Sequence, residues 1–312
     1  MPTLLLHISD LDEAAWQRRF AEALPGVTVL RQSDAYDPSQ IDYIFVWKPK
    51  PHAFDGLRKV KGILSLGAGV DALLRHPGLP EGPIVRFVDA DLTQRMSDYV
   101  VAQVTMHQRQ FTRFRRDQAA HRWTQYYPPA AWETSVGIMG LGELGTDAAT
   151  KLNALGFEVL GWSRSPKSIA GVRTFAGAAL DDFLGEVDIL VCLLPLTPDT
   201  TGILDYRLFG KLRRKLEGGP VIVNVARGGH QVETDIARAL TDGTLGAASL
   251  DVFQTEPLPA DSPLWDLDNC YITPHIGAIS GQDPGVRYFS RIILEHEAGK
   301  PLPNVVDRGR GY

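Results

Sequence analysis

The chain has 312 residues, of which 44% are hydrophobic and 22% charged, and its formal net charge is −5. This length suffices for two medium-sized domains with a large core, and the negative charge argues against nucleic-acid binding. The longest apolar run, ILVCLLPL (189–196), is too short to span a bilayer, and the first residues lack the basic region of a signal peptide. Cys192 and Cys270, the two cysteines, lie in apolar segments, so we expect free buried thiols and a cytoplasmic protein.

Segments typical of strands and helices alternate in the first third of the chain. The sequence predicts a strand at Thr3–Ser9 and a helix at Leu11–Leu24, capped by Asp10 and closed by Pro25-Gly26. The residues between 95 and 115 include no Gly or Pro, and they predict one long helix, Arg95–Arg115. Further short strands are predicted at VTVL (27–30), Tyr43–Trp47, Gly62–Leu66 and IVRF (84–87).

The alternation restarts at Ser135. A helix is predicted at Glu143–Leu155, and a last helical segment begins near residue 281. Apolar strands are predicted at 135–140, 157–162, Asp188–Leu194, Val221–Ala226 and Gly246–Phe253. Near-continuous apolar strands that alternate with helices are typical of parallel sheets covered on both faces. We therefore predict an α/β protein with two doubly wound parallel-sheet domains.

A glycine fingerprint, GIMGLGELG (137–145), follows the strand at 135 and opens the next helix. In this context Gly140 would make a tight turn, Gly142 would let a pyrophosphate approach, and Gly145 would allow close helix–strand packing. The helix N-terminus favours phosphate binding. A purely structural turn and an S-adenosylmethionine site are the alternatives. The predicted dinucleotide contacts are Met139, Gly140, Leu141, Gly142, Glu143, Leu144 and Gly145.

The stretch GWSRSPKS (161–168) ends the second strand of this unit. NAD-binding enzymes place an acid there to bind the ribose 2′-hydroxyl, whereas this chain has Ser163. Ser163 and Ser165 can hydrogen-bond a 2′-phosphate, Arg164 can bind it bidentately, and Lys167 adds a positive charge. The alternative is a solvated basic loop. We expect NADPH as the preferred cofactor, with NADH as the second candidate.

Three polar residues follow the later strands. Arg227 stands in VNVARGG, Glu256 in LDVFQTEPLP, and His275 in ITPHIGA. The carboxyl ends of strands are where ligands bind in open α/β sheets. An Arg can bind a carboxylate and polarise a carbonyl, a His can donate a proton, and a Glu can orient that His. Taken singly, each has a structural alternative: a surface Arg, a turn Glu and a capping His.

On these motifs, together with LLPLTPDTTGIL, the chain resembles the D-isomer-specific 2-hydroxyacid dehydrogenases over its whole length. More narrowly, SLGAGVD, FVWKPK, WSRSPKS, SPLW and VDRGRGY are similar to the glyoxylate/hydroxypyruvate reductases of that family. The resemblance implies a catalytic set of Arg227, Glu256 and His275, with His275 as the proton donor. It implies a flavodoxin-like substrate domain made of residues 1–98 and 282–312, a Rossmann domain at 99–281, and a cleft between them.

The same resemblance implies further site residues. Leu194 and Pro195 would contact the adenosine, Ala226 would contact the cofactor, and Asp251 would face the nicotinamide amide. Trp47 would wall a small substrate pocket, although a strand-end Trp is often only part of the core. The N–H groups of Gly67, Ala68 and Gly69 would hold a carboxylate as a nest does, the alternative being a tight turn without a ligand.

The expected activity is therefore NADPH-dependent reduction of glyoxylate and hydroxypyruvate to glycolate and D-glycerate, without a metal. Reduction of a different 2-oxo acid is the alternative within this enzyme class, because one methylene changes discrimination by only about 1–3 kcal/mol. A nucleotide-sensing interaction protein is the alternative from another class. The resemblance also implies a homodimer, for which the Arg95–Arg115 helix is a candidate contact. No nucleic-acid or membrane partner is expected.

Overall fold

The computed structural model describes all 312 residues, which form two compact units. The first unit contains residues 1–92 and 280–312, and the second contains residues 93–279. The resemblance implies domain boundaries after residues 98 and 281, which lie a few residues further along the chain than the boundaries in the structure, after residues 92 and 279. Both ends of the chain therefore contribute to the first unit, while the second is continuous.

The strands in chain order are β1 (Thr3–Ile8), β2 (Thr28–Arg31), β3 (Tyr43–Trp47), β4 (Gly62–Ser65), β5 (Ile84–Arg86), β6 (Ser135–Met139), β7 (Glu158–Ser163), β8 (Arg173–Ala176), β9 (Ile189–Cys192), β10 (Val221–Asn224), β11 (Ala247–Leu250) and β12 (Cys270–Ile272). The α-helices are α1 (Glu13–Ala23), α2 (Asp71–Leu74), α3 (Ala90–Gln108), α4 (Phe111–Ala119), α5 (Glu143–Ala154), α6 (Leu180–Leu184), α7 (Tyr206–Phe209), α8 (Glu233–Asp242) and α9 (Gln282–Glu297).

The first unit is built on a five-stranded parallel sheet in the order β2-β1-β3-β4-β5, which is the flavodoxin-like order. One face is covered by α1 and α9. The ring of Phe45 on β3 lies 5.1 Å from that of Trp16 on α1 and 5.3 Å from that of Phe289 on α9. These aromatic contacts explain why the last helix belongs to this unit.

The second unit has seven parallel strands in the order β12-β11-β10-β9-β6-β7-β8. This is the Rossmann arrangement, in which the order of strands reverses beside β6. The central strands β6, β9, β10 and β11 are buried along their whole length. The predicted fold class, with two doubly wound parallel sheets, is therefore confirmed.

Two predictions about helix ends are wrong. Asp12 rather than Asp10 caps α1, since its side chain accepts the N–H of Ala15 at 3.0 Å. The single helix predicted at Arg95–Arg115 is two helices, α3 and α4, with Gln110 between them in the left-handed conformation at φ 58°. A tertiary contact accompanies this break, since the buried side chain of Gln108 donates to the carbonyl of Pro129.

Candidate active site

The predicted cofactor and catalytic residues of the second unit gather along one edge of its sheet. All seven strands are parallel, so every loop that follows a strand opens on the carboxyl edge. The loop after β6 carries the fingerprint, and the loop after β7 carries the basic stretch. The loops after β10, β11 and β12 carry Arg227, Glu256 and His275.

The fingerprint glycines differ in the space around them. Gly140 has φ +103°, and a Cβ there would lie 2.5 Å from the carbonyl oxygen of Leu193. A Cβ on Gly145 would lie only 1.8 Å from the carbonyl oxygen of Gly140. In contrast, a Cβ on Gly142 would meet no atom within 4 Å. Gly140 and Gly145 are required by the fold. Gly142 instead leaves open space at the N-terminus of α5, as a dinucleotide requires.

The other fingerprint residues take different positions around this turn. Met139 and Leu141 are buried, and the carbonyl of Met139 accepts the N–H of Leu193 at 2.8 Å. Leu144 is half-buried in the first turn of α5, where the side chain of Glu143 is exposed. An acid in a first helical turn suits the helix dipole. The exposed Glu143 therefore needs no ligand to explain it.

The basic stretch begins where β7 ends. Ser163 is 9% exposed, and its hydroxyl donates to the carbonyl of Ser165 at 2.8 Å. This hydrogen bond turns the chain, and Arg164, Ser165 and Lys167 then lie exposed on the loop. The carbonyl of Lys167 accepts the hydroxyl of Thr174 on β8 at 2.6 Å, which ties the loop to the next strand. Hydroxyls and cations therefore stand at the strand end where NAD-binding enzymes have an acid.

Three more predicted cofactor contacts follow the central strands β9 and β10. Leu194 is buried and Pro195 half-buried, and the carbonyl of Pro195 accepts the hydroxyl of Thr200 at 2.7 Å. Ala226 is also buried, and its N–H donates to the side-chain oxygen of Asn224 at 3.1 Å. These residues line the edge on the β9 side of the point where the strand order reverses, next to the fingerprint that follows β6.

Arg227 is held by a network that the sequence reasoning missed. The buried amide of Asn224 donates to the carbonyl of Arg227 at 3.1 Å and to the side chain of Gln231 at 2.9 Å. Gln231, also buried, donates to the carbonyl of Val252 in the loop after β11. The network thus joins the Arg227 loop to the loop that carries Glu256. A polar Asn that ends an apolar strand was the available signal for it.

Glu256 and His275 form a direct pair. The Oε2 atom of Glu256 lies 2.8 Å from Nδ1 of His275, and their side chains are 38% and 46% exposed. Burial raises the pKa of Glu256, but hydrogen bonds from His275 and from the Phe253 N–H, with the charges of His275 and Arg227, outweigh this and lower its pKa below the usual range. Glu256 is therefore an anion at neutral pH that accepts the Nδ1 proton, which leaves Nε2 of His275 for chemistry.

Asp251, the predicted nicotinamide contact, is engaged within the protein. It is 1% exposed, and its Oδ1 accepts the hydroxyl of Thr273 at 2.6 Å and the N–H of Ile276 at 2.9 Å. Its Oδ2 accepts the N–H of Gly277 at 2.8 Å. Its carboxylate therefore braces the loop that carries His275.

The first unit places its predicted site residues on the carboxyl edge of its own sheet. Trp47 ends β3, and a Cβ on Gly67 would lie 3.5 Å from the Trp47 ring. Gly67, Ala68 and Gly69 link β4 to α2, and their N–H groups donate no hydrogen bond within the protein. The carbonyl of Gly67 accepts the hydroxyl of Ser65. Indole and free N–H groups therefore lie side by side.

Two further observations concern metals and membranes. No group of three or more His, Cys, Asp or Glu side chains is placed to hold a metal ion. None of the helices has both the length and the apolar character needed to cross a lipid bilayer.

Comparison with known proteins agrees with this arrangement. A model of the NAD-binding domain of D-isomer-specific 2-hydroxyacid dehydrogenases matches residues 101–277. The chain is 40% identical over 304 residues to glyoxylate/hydroxypyruvate reductase A from Serratia proteamaculans, a match that covers 95% of this chain and 96% of that protein.

Two solved structures are similar over 100% of both chains, each with a TM-score of 0.93. An NADPH-dependent glyoxylate/hydroxypyruvate reductase from Sinorhizobium meliloti, in complex with NADP and sulfate, is 44% identical. A probable 2-hydroxyacid dehydrogenase from Rhizobium etli, in complex with NADP, HEPES and L(+)-tartaric acid, is 45% identical. The site geometry and the extent of these matches lead to one conclusion: the chain is an oxidoreductase that belongs to the D-isomer-specific 2-hydroxyacid dehydrogenase family.

Proposed function

We propose that this enzyme reduces small 2-oxo acids with NADPH, converting glyoxylate to glycolate and hydroxypyruvate to D-glycerate. The observation that carries the proposal is the 2.8 Å pair of Glu256 and His275 on the same sheet edge as Arg227. The named activities of the Serratia and Sinorhizobium relatives support the choice of substrates.

NADPH would supply the hydride that reduces the 2-oxo carbon. His275 would donate the Nε2 proton to the carbonyl oxygen, because its Nδ1 atom is already engaged by Glu256. The Glu256 anion would hold the ring in position and stabilise its charged form before transfer. Arg227 would bind the substrate carboxylate and stabilise the negative charge that develops on the carbonyl oxygen.

The basic loop after β7 supports NADPH rather than NADH. Ser163 replaces the acid that would repel a 2′-phosphate, and Arg164, Ser165 and Lys167 lie exposed beside it. The fingerprint leaves room at Gly142 for the pyrophosphate. The Sinorhizobium and Rhizobium proteins described above were both crystallised with NADP. In this proposal Leu194, Pro195 and Ala226 contact the same cofactor.

For the first unit, we propose that the N–H groups of Gly67, Ala68 and Gly69 bind the substrate carboxylate. They are free, adjacent and clustered in one turn, which is the geometry of an anion-binding nest. Trp47 would limit the size of the group beside them. Gly69→Pro, which removes one N–H, should raise KM for glyoxylate, whereas Gly69→Ala, which keeps that N–H, should raise it less.

The decisive experiment measures NADPH oxidation by the purified protein with glyoxylate, hydroxypyruvate, pyruvate and larger 2-oxo acids. We expect the highest kcat/KM with glyoxylate or hydroxypyruvate. Arg227→Ala should lower kcat and raise KM together, and the exposed Arg207 on α7 provides the matched control, Arg207→Ala. Near-wild-type turnover by Arg227→Ala would contradict the assignment. A preference for another 2-oxo acid would change the substrate, and NADPH binding without turnover would indicate a sensing protein.

We further propose a homodimer formed through the second unit. Val101, Ala102, Thr105, Met106 and Phe111 line an apolar depression on α3 and the start of α4. Trp123 and Tyr127, in the segment that follows α4, are 95% and 96% exposed. Apolar surface of this kind is typical of interfaces. Light scattering should give about twice the mass of the 34.3 kDa chain, and a clean monomer would contradict this proposal.

We also propose that the protein functions in the cytoplasm. Both cysteines are free thiols, Cys192 buried as expected and Cys270 only half-buried, and desolvation raises the pKa of each to about 12. Free thiols are typical of a reducing compartment. Cell fractionation should recover the protein with cytoplasmic markers.

A further inference from the structure

The proton donor of the proposed reaction lies on a strained loop. His275 has φ +56°, a left-handed conformation that a residue with a Cβ adopts only at a cost. Such conformations persist where the surrounding structure determines them, so the groups that hold this loop also decide where the imidazole lies. The backbone N–H of His275 is held by the carbonyls of Asp251 at 2.8 Å and Thr273 at 3.1 Å.

Asp251 supplies the other constraints. Its two carboxylate oxygens accept from the hydroxyl of Thr273 and from the N–H groups of Ile276 and Gly277, on both sides of His275. A Cβ on Gly277 would lie 2.9 Å from Oδ2 of Asp251, so the loop approaches the carboxylate as closely as a glycine permits. The carboxylate is therefore the centre around which the loop folds.

The hydroxyl groups of Thr273 and Tyr99, which lead away from this carboxylate, donate their hydrogen bonds in a defined direction. Thr273 has one hydroxyl proton, and its 2.6 Å contact with Oδ1 of Asp251 requires that this proton points to the carboxylate. The oxygen of Thr273 must then accept at its other contact, which is the hydroxyl of Tyr99 on α3 at 2.7 Å. Burial raises the pKa of Tyr99 to about 12, so it keeps its proton at neutral pH.

We propose that Tyr99 and Thr273 are positioning residues for the proton donor, acting through Asp251 as an ordered chain of hydrogen bonds from α3 to the His275 loop. Neither touches the reacting atoms. These hydrogen bonds fix the His275 backbone so that Nδ1 reaches Glu256. The expected effect on kcat rests on the proposed function. The expected effect on the position of the His275 ring does not.

Thr273→Val tests the centre of the hydrogen-bond chain, because valine keeps the shape of threonine and removes the hydroxyl. It leaves the Tyr99 hydroxyl without an acceptor and takes one hydrogen bond from Asp251. We expect kcat with glyoxylate to fall by about 10- to 100-fold, since a displacement of about 1 Å costs this much, while KM for NADPH changes little. Thr273→Ser, which restores the hydroxyl, should recover most of the activity.

Tyr99→Phe tests the end of the hydrogen-bond chain on α3, and it should lower kcat less than Thr273→Val does. Its matched control is Tyr206→Phe, which removes a hydroxyl that binds Asp242 and Thr244 at the far end of β11. We expect this control to keep wild-type kcat. Thermal unfolding of each variant separates a positioning effect from a general loss of stability, and Tyr99→Phe serves as the test if Thr273→Val does not fold.

A nuclear magnetic resonance experiment gives a readout independent of activity. The chain has eight histidines, and His275→Gln identifies the His275 signal in ¹⁵N-histidine-labelled protein. In the wild type, the neutral ring should carry its proton on Nδ1, because Glu256 accepts it. Thr273→Val should shift the ring toward the Nε2-protonated tautomer, and Thr273→Ser should not.

The inference is overturned if Thr273→Val keeps kcat within twofold of wild type and leaves the His275 tautomer unchanged. It is also overturned if Thr273→Ser is as impaired as Thr273→Val, because the hydroxyl would then be irrelevant. If the wild type reduces no 2-oxo acid, the proposed function fails, and the tautomer comparison alone decides whether Tyr99 and Thr273 position the ring.

Discussion

Replacing Ser163 by aspartate should reverse the cofactor preference. The substitution puts back the acid that NAD-binding enzymes carry at the end of the second strand. A carboxylate there can accept the ribose 2′-hydroxyl of NADH, but it repels the 2′-phosphate of NADPH. Because Ser163 is only 9% exposed, an aspartate side chain starts from a largely buried position at the strand end, where it loses the hydrogen bond that the Ser163 hydroxyl donates to the carbonyl of Ser165.

The size of the effect follows from Coulomb's law. A carboxylate about 4 Å from a doubly charged phosphate is repelled by about 2 kcal/mol even at the dielectric constant of water. At the effective value near a protein surface the repulsion is several times larger, although Arg164 and Lys167 offset part of it. A hydrogen bond to the 2′-hydroxyl adds about 1 kcal/mol for NADH. Together these terms change the NADPH/NADH ratio of kcat/KM by roughly 100-fold or more.

The assay compares kcat/KM for the two cofactors at saturating glyoxylate, at low and at high salt. Ser168→Asp, at an exposed position further along the same loop, is the matched control and should leave the ratio nearly unchanged. Salt should weaken the effect of Ser163→Asp only modestly, since short-range charges are poorly screened. If Ser163→Asp and Ser168→Asp change the ratio equally, the loop is only a solvated basic surface.

Three further predictions concern the glycine turn, the pair of Glu256 and His275, and a buried histidine. Gly145→Ala should destabilise the protein, because its Cβ would lie 1.8 Å from the carbonyl oxygen of Gly140. Gly142→Ala should keep the wild-type Tm and raise KM for NADPH. Thermal unfolding and cofactor titration test this contrast. Glu256→Gln should lower kcat by roughly 5- to 30-fold, since water screens this half-exposed pair and its attraction is about 1–2 kcal/mol; an unchanged kcat would contradict the role of the carboxylate. Burial lowers the pKa of His107 to about 3, so the unfolded state binds more protons below about pH 6.5, and the free energy of unfolding should fall as the pH drops. Urea unfolding at pH 7 and pH 5 should show a loss about 2 kcal/mol larger in the wild type than in His107→Gln, and equal losses would refute this.

The positions of the site residues could be predicted from the sequence because the fold is regular. Once strands and helices alternate, every strand end lies on the same edge of a parallel sheet, and Arg227, Glu256 and His275 each follow such an end. The contact between Glu256 and His275 was then expected, and the structure places their side chains 2.8 Å apart. Periodicity and motif spacing are enough for this level of description.

The helix ends and the edge strand were less predictable. The left-handed residue Gln110 lies in a stretch whose composition is compatible with a continuous helix, and the break coincides with a tertiary contact, the hydrogen bond from Gln108 to the carbonyl of Pro129. Strand β8 is an edge strand with no fully buried residue, so it lacks the apolar run that revealed the central strands. In both cases tertiary contacts outweigh local sequence preference.

The hydrogen bonds that support the proposed catalytic residues could not be predicted, because their partners come from loops whose conformation the sequence does not reveal. Asn224 illustrates the point: its side chain uses both donors and its acceptor within the segment after β10, and its partner Gln231 donates to the carbonyl of Val252 in the loop that carries Glu256. A buried amide that lost one of these partners would cost about 1–3 kcal/mol, so the network is stable only when the Arg227 and Glu256 loops both take their observed conformations. A Cβ on Gly228 would lie 1.8 Å from the backbone of Phe253, so the two loops approach each other as closely as glycine allows. Arg227, Glu256 and His275 follow strand ends, and the precision of the proposed site therefore depends on buried polar side chains that only the folded chain brings together.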